Sequence, residues 1–570
     1  MDKKEITHVL QEIGTLLELQ GENPFKSRAY VNAARALELL PDALPSLVER
    51  MKSHQVKGIG KALAEKITEL AATGKLAYHE KLKASVPAGL LDILQVPGLG
   101  PKKTRLLWTQ LGIESLGELE YACNENRLVV LEGFGARSQE KVLQGIERLK
   151  RFRGRYHLSA ARQRAAPLLE HLARHPATRR LSIAGSLRRC RETIRDLDLV
   201  AASAAPAALL DAFASLPGVE RVEEREETRA TVILDNGMRA ELHVVPDAAF
   251  PFALLALTGS AEHTALLRQR ARARGLTLTK DGLLQGDRPL ACADEAAIYQ
   301  ALDLAFIPPE LREDYGEVVA AEAGSLPRLF DETAVRGIFH VHTTWSDGAA
   351  GAEAMALRAR ELGYAYLGIS DHSKSAFYAR GLDEERVRQQ AAELAALDAR
   401  LEGIRIFRGI EADILPDGRL DYDDDVLASF DFVIGSVHSH FNLSEGEMTA
   451  RLCRALSNPY LTMLGHPTGR LLLARDPYSV DMHAVIDAAA EHGKIIEINA
   501  NPHRLDLDWR LCRYATERGA RFSINPDAHH LDGLADTAYG VAVARKGWLE
   551  AGQVVTTLDA EEVAAALARR

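Results

Sequence analysis

GIFHVHTTWSDG, residues 337–348, is the stretch on which the reading of the chain turns. A short apolar run ends in His340 and His342, and Asp347 follows in the loop. Six more apolar runs come after it: YLGISDH (366–372), IRIFRGIEADI (404–414), FDFVIGSVHSH (430–440), TMLGHP (462–467), IIEINANP (495–502) and RFSINPDAH (521–529). Helical stretches such as GAEAMALRARELG and MHAVIDAAAEHG lie between them. Strand and helix in regular alternation is the layout of a parallel (β/α) barrel.

Six of the seven runs end in a side chain that can hold a metal. They supply His340 and His342, His372, Glu411, His438, His466, and Asp527 with His529. Barrel enzymes place their chemistry at the C-terminal strand ends, so these residues are expected to converge together with Asp347. Any one histidine alone reads as a satisfied loop or core residue; the recurrence at six strand ends points to a site. Nine imidazole and carboxylate donors exceed the needs of one ion, which implies two or three divalent ions of the Mn²⁺, Zn²⁺ or Fe²⁺ type. Such a cluster can activate water and steady the leaving oxygen of a phosphodiester. His440, His483, His492, His503 and His530 are read as surface or supporting residues.

Mid-chain, GSLRRCRETIRDLDLV (185–200) joins a Gly-Ser turn and basic residues to Asp196-x-Asp198. Alternate residues of a strand share a face, so the two carboxylates point the same way. Paired like charges are costly unless they bind cations, which suits a two-Mg²⁺ site. Gly185 and Ser186 offer phosphate-binding donors and Arg189 a clamp. Around this segment the runs RLSIAG, DLDLVAA, TVILDNG and RAELHVVP alternate or are β-branched, with helical segments among them, as in an α+β domain. Helices are expected from about 253 to 315.

Nearer the N-terminus one pattern recurs three times: VKGIG (Gly58, Gly60), VPGLG (Gly98, Gly100) and LEGFG (Gly133, Gly135). Each sits between two apolar helical stretches. Glycines there bring backbone N–H groups to the surface at a helix N-terminus, which grips a phosphate without reading the base.

The 570 residues exceed one core and suggest three to five domains. MDKKEITHVLQEIG reads as a first helix rather than a signal peptide, and no apolar run approaches membrane-spanning length. Five scattered cysteines without a CxxC pair argue against disulfides or a thiolate zinc site and suit a reducing, cytoplasmic setting. The net charge of −10 hides a basic stretch: from Arg148 to Arg195, fourteen Arg or Lys face only Glu170 and Glu192. That stretch is either a solvated face or a phosphate track beside the Asp196–Asp198 motif.

The C-terminal segments HVH…DG, SDH, GIEADI, SVHS, GHP and DAH resemble the polymerase-and-histidinol-phosphatase (PHP) family over essentially all of 333–570. The resemblance implies a distorted (β/α)7 barrel with a trinuclear site of nine ligands, which fall on His340, His342, Asp347, His372, Glu411, His438, His466, Asp527 and His529. GHPTGR and RLDL resemble the branch attached to bacterial family X polymerases, implying Mn²⁺-dependent 3′–5′ exonuclease and abasic-site or 3′-end processing. Arg470 and Arg504, within those segments, are open between holding substrate phosphates and bracing the barrel rim.

Residues 1–315 resemble family X DNA polymerases of the DNA polymerase beta type, through the hairpin repeats, GS-x-x-R with DxD, LTGSAEHTALLRQRARARG and IPPELRE. The resemblance implies a multidomain chain with an all-α helix-hairpin-helix N-terminal region, an α+β nucleotidyltransferase palm and a helical thumb. The expected divisions are a lyase-like DNA-binding domain (1–82), a fingers-like domain with two hairpins (83–152), palm (153–252), thumb (253–316), linker (317–332) and PHP barrel (333–570). Gly185, Ser186, Arg189 and Gly259 would contact the incoming triphosphate, and Asp196 and Asp198 would bind Mg²⁺ or Mn²⁺. The family's third carboxylate, normally Asp, falls on Glu241. Its aromatic pair before TGS, which excludes ribonucleotides, is replaced by Ala256 and Leu257, so rate and sugar selectivity stay open. KGIGKALAEKI aligns Lys66 with the family's Schiff-base lysine, a helix-surface lysine being the alternative. NPFKSRAY adds Lys26 and Tyr30 as a 5′-phosphate pocket.

The expected activity is template-directed gap filling with 3′-end trimming, by a monomer acting on gapped or damaged DNA and deoxynucleoside triphosphates, with no membrane partner. A repair nuclease with a weak palm and a DNA-end-binding scaffold are the alternatives.

Overall fold

Alternation decides the centre of the chain. DLDLVAA and RAELHVV turn Leu197, Leu199, Ala240, Leu242 and Val244 inward and leave Asp196, Asp198 and Glu241 on the opposite face. The computed structural model, which describes residues 3–39, 59–150 and 154–568, divides into two units, 1–149 and 150–570.

The first unit is helical. In Lys3–Gln20 the buried Ile6, Leu10, Ile13 and Leu17 recur every three or four residues and form one stripe. They share a core with Ile67, Leu70, Leu107, Leu119 and Ile146 from later helices. In each glycine turn the central apolar residue (Ile59, Leu99 or Phe134) is buried, while Gly60, Gly98, Gly100, Gly133 and Gly135 are exposed. Gly98 and Gly133 hold φ of 87° and 82°, a conformation that L side chains avoid. Helices Lys61–Thr73, Pro101–Leu111 and Ala136–Lys150 start directly after the second glycine of each turn. Gly58 lies outside the described residues.

The second unit begins with a five-stranded sheet. Its strands are β1 (Arg180–Ile183), β2 (Asp196–Ala202), β3 (Val219–Arg225), β4 (Arg229–Leu234) and β5 (Arg239–Val245), in the order β1-β2-β5-β4-β3. Only β2 and β5 run parallel. Helices Leu158–Arg174 and Pro206–Ala214 bury the apolar face through Leu168, Leu172, Leu209, Leu210 and Phe213. On the other face, helix Phe250–Thr258 covers Val200 and Ala202 and stops short of the two aspartates.

The region after residue 253 departs from an all-helical reading. Leu276–Leu278, Leu283–Gln285 and Arg288–Leu290 form a small antiparallel sheet, because Lys280-Asp281-Gly282 and Gly286-Asp287 are turn sequences. The segment 317–332, expected as a linker, opens with helix Glu317–Ala323. Glu317 is fully buried there, with Oε1 2.7 Å from His263 Nδ1. A chain that docks a carboxylate in a core is part of that core.

The last part is a barrel of seven parallel strands: β6 (Gly337–Val341), β7 (Tyr366–Ile369), β8 (Arg405–Asp413), β9 (Phe432–Ser436), β10 (Met463–Leu464), β11 (Ile495–Asn499) and β12 (Arg521–Asn525). They neighbour one another in chain order, and a Val341–Ala528 bridge brings the end of β6 against the segment after β12. Phe339, Tyr366, Phe407 and Phe432 fill one end, over Gly368 and Gly409, where a Cβ would collide with the Phe339 and Phe432 rings. One apolar cluster runs without a break from the sheet helices, through Phe330 and Val335, into the barrel.

Candidate active sites

The barrel site is built where the sequence places it, at the C-terminal ends of the strands. All nine expected residues converge. His342, Asp347, His372 and His529 form one group whose donor atoms lie within 4.8 Å of one another; the sets His340–His466–Asp527, His340–His342–Glu411 and His372–Glu411–His438 form three more. Glu411 is the hub, 2.8 Å from His372 Nδ1, 3.0 Å from His466 Nε2 and 3.2 Å from both His340 Nε2 and His438 Nε2. Every member is buried except the partly buried His438.

Local backbone geometry aims these side chains. Pairing of β6 with β7 shifts register between Ile338 and Val341, and His340 sits there at φ 58°. The irregularity lets Ile338 pack outward with the helices while His340 turns to the cluster. Asp527 also holds a positive φ, 51°, and such strain persists only where surrounding packing fixes it.

Two carboxylates that the sequence reading missed orient the imidazoles. Glu497 on β11 accepts from His340 Nδ1 at 2.6 Å, the His466 backbone N–H at 2.6 Å, Asn525 at 3.0 Å and Asn499 at 3.1 Å. Asp413 accepts from His438 Nδ1 at 2.6 Å. Each bond fixes which ring nitrogen faces the cluster. A glutamate inside IIEIN, an otherwise apolar run, was the available signal. Asp371 plays a third part: it accepts from Thr343 and Ser346 and so holds the loop that carries Asp347.

The donor set fits divalent ions. His342 makes no hydrogen bond at either ring nitrogen, and His340 Nε2, His372 Nε2 and Glu411 Oε2 are likewise buried without one. Burial, with His529 and His372 beside it, pushes the His342 imidazole down to about 3, so that it stays neutral and able to ligate. Arg504 reaches the site, its Nε 3.3 Å from Asp527 Oδ2. Arg470 does not: its guanidinium is spent on the carbonyls of Arg504 and Leu505 and on Asp508 at 2.7 Å, which makes it a rim brace.

The sheet site is more open. Asp196 and Asp198 on β2, with Gly185, Ser186, Arg189, Ala256, Leu257 and Gly259, line a cavity of about 400 Å³. Gly185 has φ 59°, and a Cβ on it would run into the Asp198 carboxylate. Glu241 on β5 is the direct neighbour of Asp198 across the parallel pair. Burial, then Asp196 and Glu241, push the Asp198 carboxyl up to about 7, the signature of a site short of positive charge. Glu241 is drawn into its own network, 2.5 Å from His243 Nε2, 3.2 Å from Thr231 Oγ1 and 3.3 Å from Arg239 Nη2. The three carboxylates do not close into one donor group of the barrel kind.

Within the basic stretch, Arg188, Arg189 and Arg191 pair with buried acids, whereas the pairs of Arg164, Arg174 and Arg180 are exposed. Arg164, Arg174, Arg180 and Arg188 pair with Asp235, Glu170, Asp247 and Glu295; Arg189 and Arg191 share Glu313.

In the first unit Lys66 is not a bland surface lysine. Its Nζ hydrogen-bonds the Tyr30 hydroxyl and lies 3.7 Å from the Tyr78 ring centre, with Lys26 Nζ 6.0 Å from the same ring. Burial lowers the Lys66 ammonium pKa.

Comparison with known proteins agrees with this anatomy. Family matches cover residues 1–76 (helix-hairpin-helix domain), 90–148 (SAM-like helix-hairpin-helix tandem), 253–313 (DNA polymerase beta thumb) and 339–501 (PHP domain). The DNA polymerase/3′-5′ exonuclease PolX of Bacillus subtilis (strain 168) is 38% identical over 573 residues, spanning 100% of both chains. Probable phosphatases of Caldanaerobacter subterraneus and Caldicellulosiruptor bescii are each 34% identical over 146 and 172 residues, or 24% and 28% of this chain and 55% and 63% of theirs. The phosphatases align with only part of the chain, whereas the polymerase matches it from end to end. On that full-length match, the chain belongs to the family X DNA polymerases that carry a C-terminal PHP domain.

Proposed function

We infer that the chain fills gaps in DNA by nucleotidyl transfer at the palm sheet and removes nucleotides from 3′ ends at the PHP barrel. The observation that carries this reading is the convergence of nine His, Asp and Glu donors at the strand ends of the barrel, in the same unit as a palm cleft lined by Asp196 and Asp198. Divalent metal dependence follows from the family, as do DNA and deoxynucleoside triphosphates as substrates.

In the palm, Ser186, Arg189 and the backbone around Gly185 and Gly259 hold the triphosphate, while Asp196 and Asp198 stand over the α-phosphate. These aspartates would hold Mg²⁺ or Mn²⁺, which would supply activation of the primer 3′-OH and neutralisation of charge on the leaving pyrophosphate. Ala256 and Leu257 at the cavity wall offer no ring for the sugar to pack on, which favours weak discrimination against ribonucleotides. In the barrel, the nine residues would hold two or three ions of the Mn²⁺, Zn²⁺ or Fe²⁺ type, which would supply activation of water and stabilisation of the departing 3′ oxygen. Arg504, beside Asp527, is the cation proposed to meet a scissile phosphate. The exposed glycines of the hairpin turns present backbone N–H groups to DNA phosphates. Lys66, half-enclosed by Tyr30 and Tyr78, is suited to attack the aldehyde of an abasic end, because burial favours its neutral form. Among the described residues no helix is long and apolar enough to cross a membrane. The protein is proposed to act as a cytoplasmic monomer on gapped or damaged DNA.

One assay tests both halves. A labelled gapped duplex is incubated with Mg²⁺ or Mn²⁺ and wild type, Asp198→Ala or His342→Ala. Extension is expected to fall about 10³-fold in the first variant only, and shortening by at least about 10²-fold in the second only. Shortening that survives in His342→Ala would remove the barrel nuclease from the account.

A further inference from the structure

We propose that Lys546, a residue of the PHP barrel, is a positioning residue for nucleotide binding in the palm. This rests on the reading that Arg189 grips the triphosphate. Lys546 ends the barrel helix Thr537–Lys546 and is 1% exposed. Its ammonium donates to Glu313 Oε1 at 2.6 Å and to the backbone carbonyl of Arg189 at 3.0 Å. A third contact, at 3.4 Å, goes to the Glu310 carbonyl. No other barrel side chain touches Arg189 or its carboxylate partner among the described contacts.

The geometry makes a relay. Glu313 accepts from Arg189 Nε at 3.1 Å and from Arg191 Nη1 at 3.0 Å while it holds Lys546. Arg189 Nη1 donates to the Thr258 carbonyl, at the end of the helix that leads into Gly259. With Nε and Nη1 both engaged, the guanidinium plane is fixed, and its remaining N–H groups are the ones that a phosphate in the cavity can meet. Lys546 therefore holds Arg189 at two points, through its main chain and through the carboxylate that orients its side chain. It also sets a charge balance. Arg189, Arg191 and Lys546 share the buried Glu313, while Glu192 also acts on Lys546 and Asp198 on Arg189. Without the lysine, Glu313 would be shared by the two arginines alone and would neutralise Arg189 more fully. Trp509, whose ring centre lies 5.0 Å from Lys546 Nζ, walls the ammonium from water on the barrel side and strengthens each of these bonds.

The consequence is specific. A barrel residue whose described contacts include none of the barrel's own donor cluster governs how tightly the palm takes a nucleotide and not how the barrel cuts. The test is single-nucleotide insertion into a labelled one-nucleotide gap by the full chain, with Lys546→Met, Arg189→Ala and the two combined. Lys546→Met is expected to raise KM for the nucleotide by about tenfold, with kcat changed by less than about threefold. In the Arg189→Ala background the same change should add less than about twofold, because both act on one contact. Shortening of a labelled single strand by the barrel should stay within about twofold of wild type in Lys546→Met.

Since Lys546→Met leaves a buried carboxylate with one cation fewer, Lys546→Met/Glu313→Gln is measured alongside it, and there too KM should rise. A KM within about twofold of wild type in both Lys546 variants, while Arg189→Ala alone raises it, would overturn the relay. So would a parallel fall of kcat and of barrel cutting, which marks a merely structural lysine. An unchanged KM in Arg189→Ala would overturn the reading of Arg189 itself.

Discussion

The palm and the barrel both present carboxylates to phosphate chemistry, yet they hold them in opposite ways. In the barrel all donors but the partly buried His438 are buried, and Glu497 and Asp413 behind them lock His340 and His438 in place. In the palm, Asp196 and Asp198 line an open cavity, and the third carboxylate, Glu241, is held by Arg239, His243 and Thr231 of its own sheet. A buried nest of donors suits ions that stay between turnovers. An open cleft suits ions that enter with the triphosphate and leave with the product. The difference teaches that one chain can carry two metal-dependent sites that use their ions on different schedules.

After Asp198→Ala, the hardest blow to the palm alone is Gly185→Ala. Its Cβ would strike the Asp198 carboxylate at a backbone angle that alanine avoids, so extension should fall by about 10²-fold or more while 3′ shortening persists. Full extension by this variant would show that the turn and the aspartate are not in contact. On the barrel side, Glu497→Gln replaces an acceptor of four hydrogen bonds by a group that must donate. Shortening should drop about 10- to 100-fold, with extension untouched; equal losses in both activities would mean that the two sites are not separable.

Resident and visiting ions can be told apart by stability. Adding Mn²⁺ at about 100 times its dissociation constant to chelator-treated protein should stabilise the second unit by about 2.7 kcal/mol per site, seen as a higher unfolding midpoint. That shift should vanish in His342→Ala and survive in Asp198→Ala. The reverse pattern would invert the comparison. The smallest expected change is a gain. Glu241→Asp shortens the side chain and loosens its hold on His243, and extension should rise by up to about tenfold. A loss would show that the palm is tuned to glutamate.

Much of this was legible in the sequence, for a physical reason. His340, His372, His438 and Asp527 interrupt or end apolar strands, and polar groups in such places need a partner that the strand itself lacks. The same argument would have found Glu497, but its run lacks a terminal ligand and so looked like plain core. Asp413 shares the face of Glu411 two residues on, and only the closed sheet shows that it meets His438. Charge counts ignore partners: Arg188 and Arg189 are answered by Glu295 and Glu313, more than 100 residues away. For the helix at 317–323 the deciding contact is His263 with Glu317, which no local pattern shows.

The apolar cluster that continues from the palm helices through Phe330 and Val335 into the barrel governs how the chain comes apart. Removing residues after 333 would strip one wall from an oil-filled interior and not merely delete a nuclease. A shortened chain that polymerises poorly would then report a damaged interior as readily as a missing activity. By the same logic, heat should melt palm and barrel together in a single cooperative step, so that neither active site outlives the other as temperature climbs.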